Sequence, residues 1–355
     1  MSPFAIQFTE TFGVRWYGLS YLAGFLTGYL IITWLSKNKL SPIPKEKVAD
    51  LISYLAFGTM IGGRLGYCLF YAPDLLFSFD WVSVGPVSLP LWSALAVWKG
   101  GMASHGGIIG LGVASVLFAR KYNIKILHIL DLATFGGAIA IFYGRMANFI
   151  NGELYGRACE GKCWFPVQVP DEINRWLSVE GYTEQLKNLY VVVKQIGPIN
   201  LGNGQQLSPD KIEWNSWVAN RSMSNIQAYA EIIRNKVAEG SVEVTSLLSQ
   251  VLIPRHPSQI YQALGEGLFV FLVLIFFWRK PQKPGVIAAI WCCTYAVMRI
   301  LGEQFRMPDA QIGYQFLGLT RGQILSSAQL IFGVCLLLFV SRLNNEKIGG
   351  YLKRS

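Results

Sequence analysis

Long apolar stretches separated by short basic or polar connections run through most of the chain. A helix needs roughly 20 residues to cross the hydrocarbon core of a bilayer. On that measure the pattern predicts seven spans, at about 17–35, 51–71, 103–120, 129–150, 259–278, 285–303 and 322–342. The second and fourth carry charges and are expected to score poorly on hydropathy alone. The expected fold class is therefore an all-α polytopic membrane protein, with its termini on opposite sides because the number of spans is odd. Residues 1–150 hold the first four spans, and residues 259–355 hold the last three and a tail. Between them, 151–258 mixes charges of both signs with Trp164, Trp176, Trp214 and Trp217. That segment is long enough for a small domain outside the membrane. Within it, Ser224 to Ala238 reads as a helix and Asn188 to Ile196 as a strand.

Composition agrees with this reading. Of 355 residues, 52% are hydrophobic and 15% charged, against about 25% charged in soluble domains. The formal net charge of +10 would suit a nucleic acid, but most of the charges flank apolar runs, so no nucleic-acid partner is expected. Basic residues cluster at Lys37, Lys39, Lys45 and Lys47, at Arg120, Lys121 and Lys125, at Arg279, Lys280 and Lys283, and in the tail at Arg342, Lys347, Lys353 and Arg354. The loop from Ala72 to Val97 has none. The positive-inside rule then puts the N-terminus outside and the C-terminus in the cytoplasm, with 151–258 on the outer face. Met1 to Gly13 lacks the basic start and short apolar core of a cleavable signal peptide. Six cysteines are too few for a disulfide scaffold in a chain of this length. Cys159 and Cys163 are either a small disulfide, if their segment faces an oxidising compartment, or two separate thiols. Their spacing alone does not make a metal site. No internal repeat is evident, which counts against a secondary transporter.

Charged side chains inside spans cost about 2.5 kcal/mol or more on insertion scales, so each needs a reason. For any one of them a structural ion pair is reason enough; their common depth is what asks for more. Tyr17 opens the first span, Arg64 lies late in the second, and His105 opens the third within Ser104-His105-Gly106-Gly107. Arg145 and Asn148 close the fourth, followed by Asn151, Glu153 and Gly156. His256, Gln259 and Tyr261 open the fifth; Arg299, Glu303 and Arg306 close the sixth. On the expected topology all of them lie toward the outer face. Arg299, Glu303 and Arg306 step by four and three, and Arg145 and Asn148 by three, so each set shares a helix face. Two arginines at headgroup depth suit a phosphate, because guanidinium is a planar fork of donors that stays charged. The glycines at 62, 63 and 66 and around His105 permit close helix packing or close ligand approach, packing being the plainer reading.

These motifs carry a family resemblance. Residues 144–157, reading G-R-M-A-N-F-I-N-G-E-L-Y-G-R, are similar to the signature G-R-x-G-N-F-x-N-x-E-x-x-G of the bacterial prolipoprotein diacylglyceryl transferases. Arg15 to Leu19, Gly62 to Tyr67, Trp98 to Gly107, Arg255 to Tyr261, and Arg299 through Glu303, Phe305, Arg306, Pro308 and Asp309 also resemble family segments, in the same order. Ala147 stands where the signature has Gly, and Gln262 follows Tyr261 where the family often has Glu. The segment between Arg157 and Arg255 is longer than expected for the family. The resemblance implies an enzyme of the bacterial cytoplasmic membrane, with its site toward the outer face. It implies transfer of the diacylglyceryl group of phosphatidylglycerol to the lipobox cysteine of a prolipoprotein signal peptide, with no metal or organic cofactor. The expected roles are His105 helping to remove the thiol proton and Arg145 and Arg299 gripping the phosphate, with Glu303 orienting Arg299. Tyr17, Arg64, Asn148, Glu153, Gly156 and Tyr261 are expected to complete the binding shell. His105 as a hydrogen-bonding residue only, and Glu303 as a plain ion pair, are the alternatives residue by residue. A transporter of a small anionic or lipid-like substrate is the alternative for the whole chain.

Overall fold

A computed structural model describes residues 4–7, 13–84, 87–97, 100–161, 163, 165–201, 204–308 and 315–352. Residues 1–3 and 8–12, together with Trp98, Lys99, Trp164, Asp309, Lys353 and Arg354, lie outside them. Helices form at each of the seven apolar stretches. The first four are α1 (Trp16–Lys37), α2 (Val48–Phe70), α3 (Ser104–Tyr122) and α4 (Ile126–Asn151). Six shorter helices follow: α5 (Glu172–Ser178), α6 (Thr183–Asn188), α7 (Tyr190–Ile196), α8 (Lys211–Ala219), α9 (Met223–Ala238) and α10 (Val242–Ser249). The last three are α11 (Ser258–Trp278), α12 (Val286–Gly302) and α13 (Arg321–Arg342).

By length and composition α1, α4, α11 and α13 can each cross a membrane, and α12 is apolar but shorter. Their outward residues fit lipid: Leu22, Leu26, Leu30 and Trp34 of α1 recur every fourth position and are all more than half exposed. Such an apolar stripe is stable only against an apolar medium, which marks an integral membrane protein. The expectation for the fourth stretch is corrected, because α4 has a mean hydropathy of 1.7. Its charges, Asp131 and Arg145, stand far apart, and the residues between them are uncharged. The less apolar helices are α2 and α3, where glycines take the place of larger side chains.

The chain divides into two compact units, Met1–Tyr21 with Ile141–Gly267 and Ala296–Ala328, and Leu22–Ala140 with Leu268–Tyr295 and Gln329–Ser355. In the second unit, Gly58, Gly62 and Gly66 of α2 pack on Gly106, Gly110 and Ala114 of α3. A Cβ on Gly62 would meet the Gly106 carbonyl and stand 2.7 Å from Gly110 Cα. Backbones this close gain dispersion contacts that larger side chains would prevent, which is how helices associate where lipid removes the hydrophobic drive. A hairpin, β3 (Phe79–Val84) with β4 (Val87–Trp92) after the N-terminal pair β1 (Phe4–Gln7) and β2 (Gly13–Arg15), joins α2 to the loop before α3. Asp131 of α4 accepts hydrogen bonds from Gly285 N (2.7 Å) and Ala288 N (2.8 Å), satisfying donors at the start of α12 that would otherwise be orphaned.

In the first unit, α5 to α10 and the short pair β5 (Ile199–Asn200) and β6 (Gln206–Leu207) enclose a separate apolar core around Trp176, Trp214 and Tyr229. The polar ends of these aromatics find partners: Trp214 Nε1 donates to Leu186 O (2.8 Å), and Tyr229 Oη donates to Gly197 O (3.0 Å) and Leu207 O (3.1 Å). The helix expected at Ser224 to Ala238 is α9, which buries Ile226, Tyr229, Ala230 and Ile233 along one face. The strand expected at Asn188 to Ile196 is instead helical, as α7. Its β-branched run favours strand locally, but Leu189, Val192, Val193 and Ile196 recur at helical spacing and all pack on this core, so tertiary burial outweighs propensity.

Gly62→Leu, whose Cβ meets backbone, should lower the apparent melting temperature in detergent by about 3–8 °C, the usual cost of overpacking at this chain size. Gly112→Leu, with nothing within 4 Å of its Cβ, should leave it unchanged; differential scanning fluorimetry of the two variants reads the contrast.

Candidate active site

The first unit buries a carboxylate that the sequence did not single out. Glu266, fully buried, lies on a π-helical turn of α11 over Ala263–Phe269. Such turns widen a helix locally and gather at functional sites. Here the turn packs closely on its neighbours: a Cβ on Gly267 would lie 2.6 Å from Phe142 Cβ, and one on Gly265 would lie 2.8 Å from Met298 Cε. Glu266 Oε2 accepts from Arg145 Nη2 at 2.9 Å, and Oε1 accepts from Arg299 Nη1 at 3.3 Å. Arg299 Nη2 donates to Glu303 Oε1 at 2.8 Å, and Arg306 Nη1 stands 3.7 Å from the same oxygen. Arg299, Glu303 and Arg306 are themselves buried. Gly322 makes room for the cluster, since a Cβ there would come within 3.1 Å of Arg299 Nη2.

A second polar group lies where α1 begins and α4 ends. Asn148 donates to the Tyr17 hydroxyl, which donates in turn to Glu153 Oε2 at 2.5 Å. Glu153 N bonds Asn148 O (2.9 Å), and Gln259 Nε2 donates to Glu153 O (2.7 Å). The chain then reverses through Gly152 and Leu154, both at positive φ. Gly156 is pinched between two segments: its N–H bonds His256 O (3.2 Å), and a Cβ would lie 2.8 Å from Phe305 O. No other residue fits there without moving backbone. Tyr261 and His256 pack edge-on against Phe305, with centroids at 5.4 and 5.3 Å.

The six-helix segment is tied to this site by another buried pair. Arg255 donates to Glu172 of α5 and, at 3.1 Å, to Gly156 O. Glu172 also accepts from Trp176 Nε1 at 3.0 Å. Beside them, the Tyr155 phenol is pushed up to about 12 by burial and then by the Glu172 charge, so it stays protonated. Cys159 and Cys163 form a disulfide, with Cα atoms 5.4 Å apart.

Of the residues expected in the site, Tyr17, Arg145, Asn148, Glu153, Gly156, Tyr261, Arg299 and Glu303 all fall in this one unit. Arg64 and His105 belong to the other. The Arg64 guanidinium is taken up by backbone carbonyls: Ala94 O (2.7 Å), Ser93 O (2.9 Å), Gly100 O (2.5 Å) and Gly101 O (3.0 Å). It therefore fixes the loop that leads into α3. His105 is exposed on the first turn of α3. Two acids escaped the sequence reading. Glu266 had a usable signal: it is the lone acid of an apolar span, seven residues after Gln259. Glu172 had none, because its partner is 83 residues away.

A comparison with protein-family models matches residues 3–339 to the family described as prolipoprotein diacylglyceryl transferase. A phosphatidylglycerol–prolipoprotein diacylglyceryl transferase of Bdellovibrio bacteriovorus is 44% identical over 350 residues, covering 98% of this chain and 95% of its own. Proteins of the same name from Rhodospirillum rubrum and Psychrobacter arcticus are 30% and 31% identical. They cover 93% and 92% of this chain, and 89% of their own length in each case. A match of this extent places the protein in the prolipoprotein diacylglyceryl transferase family.

Proposed function

We propose that this protein transfers the diacylglyceryl group of phosphatidylglycerol to the thiol of a lipobox cysteine in a prolipoprotein, the first step of lipoprotein maturation. The observation that carries the site assignment is the Arg145–Glu266–Arg299 bridge, two guanidinium groups from different helices held at one buried carboxylate. Two guanidinium forks converging on one point suit the oxygens of a phosphodiester.

The reaction forms one bond and breaks one. The cysteine sulfur attacks the glyceryl carbon bonded to the phosphate oxygen. The S–C bond forms, the C–O bond breaks, and glycerol phosphate leaves with its electron pair. The thiol proton goes to a base. His105 is the proposed base, on the chemistry of an imidazole exposed at the start of α3. Arg145 and Arg299 grip the phosphate and stabilise the charge that develops on the leaving oxygen. Glu303 orients Arg299. Tyr17, Asn148, Glu153 and Tyr261 complete the binding shell, while Gly156 and Arg64 set backbone that other groups depend on. The reaction calls for no metal or organic cofactor.

The basic residues support seven spans with the N-terminus outside, the 151–258 segment outside, and the site opening toward the outer face of the bacterial cytoplasmic membrane. Phosphatidylglycerol then enters laterally with its tails in lipid, and the signal helix of the prolipoprotein approaches from another side.

Incubating the purified protein with phosphatidylglycerol and a lipobox peptide should give a peptide one diacylglyceryl group heavier, together with free glycerol phosphate. Arg145→Ala and Arg299→Ala should each lower kcat/KM by about 100-fold or more, as removal of a transition-state donor does. The lysine variants should recover little of it, because an ammonium cannot make the paired contact; near-normal turnover by either would sink the phosphate assignment. Glu266→Gln takes the shared carboxylate from Arg145 and leaves Arg299 with Glu303, and should destabilise the fold by about 3–5 kcal/mol, measured as a lower melting temperature. His105→Gln should lower kcat/KM by about 100-fold or more, as loss of a general base does; unchanged turnover would remove His105 as the base.

A further inference from the structure

α11 carries a polar seam that the reaction as described does not use up. Gln259, Gln262 and Glu266 follow at spacings of three and four, and all three are buried to within about one percent of full enclosure. Glu266 is occupied by two arginines and Gln259 Nε2 by the Glu153 carbonyl. Gln262 differs from both. Neither its Oε1 nor its Nε2 has a hydrogen-bond partner among the described residues, and Gln259 Oε1 on the preceding turn has none either. Buried amides are almost always bonded, so one left open at both ends asks for an explanation.

The place of this amide narrows the explanation. Gly302, three residues after Arg299, presents no side chain to it: a Cβ there would lie 3.2 Å from Gln262 Cγ, 3.2 Å from Glu266 Oε1 and 3.7 Å from Gln262 Nε2. Gln262 is thus the next polar group along the helix from the carboxylate that gathers the arginines. A phosphate held by those arginines would have its substituents within reach of this seam. Phosphate oxygens only accept hydrogen bonds, and an ammonium headgroup only donates. An open donor beside an open acceptor matches a group that does both, which is a hydroxyl.

We propose that Gln262 is the specificity-determining residue of the lipid site, its amide reading the free hydroxyls of the glycerol headgroup while the arginines hold the phosphate. The proposal rests on phosphatidylglycerol being the donor. A site that hydrogen-bonds a substrate hydroxyl discriminates strongly against an analogue lacking it, because the protein group is then left unpaired. The same logic makes the amide a liability when no lipid is bound.

The test compares phosphatidylglycerol with phosphatidylpropanol, which keeps the phosphodiester and both tails but has no headgroup hydroxyl. Each is presented in mixed micelles with a lipobox peptide to the full-length protein and to Gln262→Met, which fills the same space without polar atoms. Wild type should favour phosphatidylglycerol by about tenfold or more in kcat/KM. Gln262→Met should use both lipids equally, at the wild-type rate on phosphatidylpropanol, and melt at or above the wild-type temperature. Equal use of the two lipids by wild type overturns the proposal, and so does a preference that survives in Gln262→Met. Should that variant not fold, Gln262→Asn, which withdraws the amide by one methylene, is read in the same way. Wild type that transfers nothing from phosphatidylglycerol would overturn the reaction itself, an outcome distinct from transfer without discrimination.

Discussion

Two guanidinium groups repel each other, and bringing Arg145 and Arg299 together inside an apolar unit is feasible only because Glu266 lies between them. An unpaired buried charge is strongly destabilising, so the two arginines depend on a carboxylate that is itself tightly enclosed. The π-helical turn of α11 carries that carboxylate, and the missing side chains of Gly265, Gly267 and Gly302 let neighbouring segments close around it. Helix geometry, glycine placement and charge pairing therefore serve one end, two fixed forks of donors.

A different logic governs α2 and α3. There the contact is between backbones, through Gly58, Gly62, Gly106 and Gly110, with Arg64 holding the preceding loop by its carbonyls. An arginine spent on four carbonyls is not a wasted charge. It is a rigid, multi-pronged donor that satisfies loop backbone which would otherwise be buried without partners. The loop so fixed leads into α3, whose first turn carries the exposed His105.

The six-helix segment has its own core of aromatic and aliphatic side chains, and it is joined to the reaction machinery by Arg255 and Glu172. Arg255 reaches the Gly156 carbonyl as well. One buried side chain thereby couples the long segment to the tightest turn of the site.

The sequence by itself determined the helices and most of the polar cast. Apolar runs of spanning length and basic connections reveal the membrane class, and the ordered motifs around Arg145, His105, Tyr261 and Arg299 lead to the family, because hydropathy and local spacing are properties of the chain alone. Tertiary structure decided what each polar residue faces. It made α7 a helix through burial against a core assembled from distant segments. It joined Cys159 to Cys163, gave Arg64 to backbone, and left the Gln262 amide open. It also revealed Glu266 and Glu172, whose partners lie 33 to 121 residues away along the chain. A carboxylate in an apolar run looks like a defect until the cations that balance it arrive from other helices, and no local pattern records that meeting.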